Sequence, residues 1–154
     1  MFGRAVSSPA AAYRTDEYGQ HMTVTLHRDD LPDNLSFGDC VAIDTETMGL
    51  KPGRDRLCLV QLSSGDGTAH IVQLAQRDFA APNLKTLLSD QTVTKLFHFG
   101  RFDIAVLRQY LGVLCSPVYC TKIASRLTET VRKMAGRKLV VPMVLRIMVL
   151  RMRS

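Results

Sequence analysis

Asp44 and Glu46 stand one threonine apart at the end of the apolar run "CVAIDTETMGL" (Cys40 to Leu50). On a strand, residues two apart project from the same face, so this spacing sets two carboxylates side by side. Ionised carboxylates repel at close range, and the pKa of one rises unless a cation lies between them. A divalent ion answers that: Mg²⁺ takes carboxylate oxygens, keeps several waters and accepts further ligands from phosphate. The competing reading is a solvated strand end that caps the next loop, the commoner outcome for an isolated Asp-x-Glu. A third acid shifts the balance. In "FHFGRFDIAVL" (Phe97 to Leu107), Asp103 falls in the first turn of a helix and shares a face with Val106, Leu107 and Tyr110. An acid on that stripe points at the sheet and needs a partner there, because an unpaired buried carboxylate is costly. Taken alone, Asp103 is explained by its own helix dipole. Taken with Asp44 and Glu46, metal ligation accounts for all three.

The elements that must position these acids follow from local pattern. "MTVTLH" (Met22 to His27) alternates and is β-branched, which predicts a strand. "CVAIDTE" is a second strand, and "RLCLVQLSS" and "TAHIVQL" are two more, joined by Gly65-Asp66-Gly67 as a hairpin. Up to this point the chain reads as an antiparallel meander. "APNLKTLLSD" then predicts a short helix with Asn83 as its cap signal. "VTKLFHF" is a strand, Arg101 to Leu111 a helix with one apolar face, and "CTKIASRL" the start of another helix. Antiparallel strands first, then strands alternating with helices, predict an α/β fold with a mixed sheet flanked by helices.

Composition bounds the rest. The 154 residues, 46% hydrophobic, suffice for one domain with a sizeable core. Residues 1–125 hold 12 Lys and Arg against 13 Asp and Glu, a net of −1, whereas 126–154 hold 8 against Glu129 alone, a net of +7. The basic character therefore belongs to the tail, and it is a weak pointer to nucleic acid. Cys40, Cys58, Cys115 and Cys120 form no metal-binding spacing and read as reduced thiols of a cytoplasmic protein. No apolar run reaches the ~18 residues of a membrane span. Residues 1–21 read as a flexible extension rather than a secretory signal. Residues 128–154 are rich in Arg, Met and Val around a central proline. They read as a basic amphipathic segment or, the favoured expectation, as an end foreign to the fold.

"VAIDTETMGL" and "FHFGRFDIAVL" together resemble the first and second motifs of the ribonuclease D branch of the DEDD 3′–5′ exonucleases. The resemblance runs from about Met22 to Leu127 and implies a ribonuclease H-like fold. It implies a nuclease that hydrolyses the terminal phosphodiester of single-stranded RNA 3′ ends, transfer RNA precursors included, with DNA as an open alternative. The implied cofactor is a pair of Mg²⁺ or Mn²⁺ ions ~4 Å apart, one activating water and one stabilising the leaving 3′-oxygen. Asp44, Glu46 and Asp103 would be the catalytic metal ligands. Thr45, Thr47, Met48 and Gly49 would border the terminal nucleotide, the loop offering backbone N–H groups and Met48 an apolar face. His98 reads either as a part-buried strand residue or as a base beside substrate, and Arg101 as a phosphate contact.

The match also departs from the family. Its third motif is a Tyr followed four residues later by an Asp, which would supply the fourth carboxylate and the hydroxyl that orients water. This sequence has no Tyr after Tyr119 and no Asp after Leu127. The expectations are therefore two: a metal-dependent 3′–5′ exonuclease, or an inactive nuclease-like module or incomplete copy that binds RNA ends. An aspartate-nucleophile phosphatase fits poorly, because it wants an Asp where Glu46 stands and a Thr or Val where Met48 stands.

Overall fold

The structure, a computed structural model, describes residues 10–15, 21–51, 53–76 and 78–135. Its elements in chain order are β1 (Ala10–Thr15), β2 (His21–Arg28), β3 (Cys40–Thr47), β4 (Leu57–Ser63), β5 (Thr68–Gln73), α1 (Pro82–Ser89), β6 (Thr94–Phe97), α2 (Arg101–Leu111), β7 (Val118–Cys120) and α3 (Thr121–Ala135). The strands form one mixed sheet in the order β1-β2-β5-β4-β3-β6-β7. Alternation places Val41, Ile43 and Thr45 of β3 in the interior and leaves Ala42, Asp44 and Glu46 half-buried. Val60 and Leu62 of β4, Leu84 and Leu88 of α1, and Val106 and Leu107 of α2 complete the centre of the core.

The α/β class and the mixed sheet are as the sequence implied, and β3, β4 and β5 are antiparallel neighbours. Three expectations need correction. β2 does not join the meander beside β3; it pairs in parallel with β5, Leu26 opposite Ile71. The eleven-residue link between β2 and β3 carries the chain across the sheet, a long-range choice that alternation cannot signal. The segment 1–21, expected as a flexible extension, contains β1, which pairs antiparallel with β2 and so covers its outer edge. Finally, α3 continues through Ala135, past the boundary expected at residue 127, with Thr128 Oγ1 donating to Ala124 O inside it. The tail residues 136–154 lie outside the described residues.

Side chains from remote loops finish what the local sequence starts. Asn83 does not cap α1: the residue before the helix is Ala81, which provides no side-chain hydrogen bond. The carboxylate of Asp30 accepts from the N–H groups of Asn83 and Leu84, each at 2.9 Å, and satisfies the orphan donors of the first turn. Lys95 of β6 is fully buried, and its ammonium donates to the carbonyls of Asp90 and Ser116, tying together the loops on either side of β6. Burial lowers the Lys95 pKa and pushes the Cys115 thiol up to about 11.

A histidine pair links β2 to β5. His27 Nε2 lies 2.9 Å from His70 Nδ1, the rings stack at 5.2 Å, and Phe37 meets His70 edge-on. Desolvation lowers both pKa values; the neighbouring imidazole adds to this at His27, whereas Asp66 opposes it at His70. The unfolded chain therefore binds protons below pH 6.5, the ordinary value, that the folded chain resists. Stability is expected to be full above that pH and to fall as pH drops through the lowered folded values. Urea midpoints measured between pH 7.5 and 5 check this, and His27→Leu should flatten that part of the profile.

Candidate active site

β3 runs further than its neighbour. β6 pairs only with Cys40, Val41 and Ala42, so beyond Ala42 one edge of β3 lacks a strand partner among the described residues. α2 fills that place. Its N-terminus follows β6 after a tight connection in which Phe99 takes φ 59° and Gly100 packs against Phe97. The first turn delivers Asp103 to the vacated edge. There Asp103 Oδ1 accepts from the Thr45 N–H at 3.1 Å and from the Thr45 hydroxyl at 2.6 Å. The dipole reading of Asp103 is thereby insufficient, because one oxygen of its carboxylate binds the sheet across 58 positions of sequence. It docks at the residue that separates Asp44 from Glu46.

Asp103 is thus anchored on the β3 residue that separates Asp44 from Glu46, both of which are half-buried and engaged by other groups. A set made only of carboxylates fits a hard divalent cation in ligand type. Among the described residues, no three His, Cys, Asp or Glu side chains are grouped so as to hold such an ion.

The candidate substrate contacts divide. Thr45 is 4% exposed and turned to the core, where its hydroxyl serves Asp103, so it does not border open space. Thr47 donates its hydroxyl to Gly49 O at 2.6 Å and shapes the turn after a register shift at Glu46/Thr47. Met48 presents an exposed side chain, as an apolar contact requires, but its N–H is committed to Arg56 O at 3.0 Å. Gly49 approaches Asp55 so closely that a Cβ would lie 2.4 Å from Oδ2. His98 is exposed just past β6 rather than part-buried in a strand, and its Nδ1 lies 2.9 Å from Thr121 Oγ1 at the start of α3. Arg101 is exposed at the first position of α2.

Two contributors escaped the sequence reading. Asp55 is a buried acid that organises the loop after β3: Arg54 chelates it at 2.6 and 2.7 Å, and the Lys51 N–H donates at 3.0 Å. These bonds, that from Arg54 first, hold its carboxyl below the usual range, while Tyr110 of α2 donates to its backbone carbonyl. Phe99 is the other. It is a bulky residue in the left-handed region, 61% exposed, with the Lys122 ammonium 4.4 Å from its ring centroid. Such strain costs about 1–2 kcal/mol and gathers at functional sites. The only hint in the sequence was an aromatic between His98 and Gly100, where an exposed φ > 0 cannot be read off residue type.

Comparison with known proteins fits this geometry. A 3′–5′ exonuclease family model matches residues 28–143. Ribonuclease D of Bartonella henselae is 36% identical over 90 residues, covering 58% of this chain and 22% of the relative. NrnC of Brucella melitensis superposes with a TM-score of 0.67 at 50% identity, covering 77% of this chain and 64% of NrnC. The same protein with bound Mg²⁺ gives 0.67 at 48% identity over 79% of this chain and 66% of NrnC, and it has also been solved bound to pGG. This chain therefore spans about a fifth of the ribonuclease D and just under two thirds of NrnC. With strand acids, helix acid and family model in agreement, the chain belongs to the 3′–5′ exonuclease family.

Proposed function

We propose that this chain is a divalent-metal-dependent 3′–5′ exonuclease that removes nucleotides from the 3′ ends of single-stranded RNA. The observation that carries this is the docking of Asp103 onto β3 at Thr45, between Asp44 and Glu46. Those three carboxylates would hold Mg²⁺, the ion seen in the Brucella protein, or Mn²⁺. Bound there, a divalent ion supplies activation of the attacking water and charge stabilisation at the leaving 3′-oxygen. The chain's own groups arrange the nucleic acid. Met48 offers an apolar face to the terminal nucleotide, and Arg101, at the open start of α2, suits a backbone phosphate. Phe99 and Lys122 place an aromatic face and a cation beside the second motif, the pair of group types that grip single strands. The binding of pGG to the Brucella protein supports an RNA substrate, with transfer RNA precursors among the candidates. Four thiols without a disulfide suit the cytoplasm.

A second reading has its own observation: among the described residues, no three His, Cys, Asp or Glu side chains are grouped so as to hold an ion. On that reading the domain binds RNA ends without cutting them. Incubating the full chain with a 5′-labelled oligoribonucleotide and Mg²⁺ or Mn²⁺ separates the two. A ladder of products shortened one nucleotide at a time, abolished by EDTA, is expected. Binding with no shortening would establish the inactive module, and shortening of a DNA oligonucleotide alone would overturn the choice of substrate.

A further inference from the structure

We propose that Thr45 is a positioning residue that locks the Asp103 carboxylate for metal binding, and that it does not contact the terminal nucleotide. The inference rests on the exonuclease reading and deepens it. Thr45 occupies the place between the two strand acids, where a side chain points away from both. It is 4% exposed, on the face shared with Val41 and Ile43, so a nucleotide at the acids cannot reach it. A buried hydroxyl must find an acceptor, and this one finds Asp103 Oδ1 at 2.6 Å. The Thr45 N–H, which the early end of β6 leaves without a strand acceptor, reaches the same oxygen at 3.1 Å. Two donors on one oxygen fix both the rotamer of Asp103 and the roll of its carboxylate. Oδ2 accepts no hydrogen bond from the described residues, so the locked carboxylate keeps one oxygen for a cation. The hydroxyl also holds α2 at a set height on the edge of β3, joining the two motifs into one unit. Valine matches threonine in shape but lacks the donor; serine keeps the donor and loses the methyl group. The pair therefore separates the hydrogen bond from packing.

The experiment is a Mn²⁺ titration of the full chain, followed by electron paramagnetic resonance, for wild type, Thr45→Val and Thr45→Ser, with thermal melting of each. Supporting groups behind metal ligands change affinity by about 10–100-fold. Thr45→Val is expected to weaken Mn²⁺ binding by at least about 10-fold, and Thr45→Ser to recover most of it. Oligonucleotide affinity without metal should stay at the wild-type value in both. Unchanged Mn²⁺ binding in Thr45→Val, or loss of oligonucleotide affinity instead, would overturn the proposal. If wild type itself binds no Mn²⁺, the carboxylate reading of the site fails, and amide exchange then decides the positioning role by itself. Protection of the Thr45 N–H that disappears in Asp103→Ala supports it, and protection that persists overturns it.

Discussion

Replacing Asp103 by asparagine is expected to abolish 3′-end shortening, by about 10³-fold or more, while leaving the domain folded. The amide oxygen of asparagine still accepts from the Thr45 N–H and hydroxyl, so the junction of α2 with β3 survives. What disappears is the charge a divalent cation needs. Asp103→Ala should lose as much activity and stability besides, because it strands two donors of Thr45, a residue only 4% exposed. Each orphaned donor costs about 1–3 kcal/mol, less where water can reach it. Asp44→Ala should match the activity loss of Asp103→Asn. The double variant Asp44→Ala/Asp103→Asn should be little worse than either alone, since ligands of one centre act as a unit. Single-turnover assays at saturating Mg²⁺, with urea midpoints for each variant, check all of these. An active Asp103→Asn enzyme would show that the helix acid is structural only.

Gly100→Ala is expected to be among the most damaging single-methyl changes in the chain. A Cβ there would sit 2.3 Å from Phe97 Cβ and 2.6 Å from Phe97 Cγ. Phe97 is 1% exposed in the core and cannot swing aside, so backbone must move instead. Overpacking of this kind costs about 1–3 kcal/mol, and a value near the top of that range is expected here. For a domain of this size that lowers the melting temperature by about 10 °C. The shift would also act on chemistry. Gly100 precedes α2, and three residues later Asp103 must meet Thr45 within hydrogen-bond distance. Residual folded protein should therefore be less active than its population explains. Gly112→Ala provides the contrast. Its φ of 68° strains a side chain, but nothing lies within 4 Å of the added methyl. A loss of about 1 kcal/mol with activity retained per folded molecule is expected. Thermal melts and activity normalised to folded fraction distinguish the two.

The amino-acid sequence by itself determined the pieces whose causes are local. Alternation in "CVAIDTE" places Asp44 and Glu46 on one face, and the spacing of Val106, Leu107 and Tyr110 turns Asp103 towards the sheet. Both statements need only the periods of 2 and 3.6. The glycines around Asp66 likewise announce the β4–β5 hairpin, where Gly65 and Gly67 take φ 82° and 87°. Tertiary structure decided whatever depends on which segments meet. The parallel pairing of β2 with β5 was invisible, since strand pattern records a buried face and not a neighbour. Asp30 caps α1 from more than fifty positions away, so the nearby Asn83 was the wrong candidate. Thr45 looked like part of a nucleotide loop because it lies among motif residues. Only the early end of β6 exposes its N–H to Asp103 and shows that it serves the helix acid. Residue type and period fix direction along an element, whereas hydrogen-bond partners across the fold are chosen by topology, and the site depends on both.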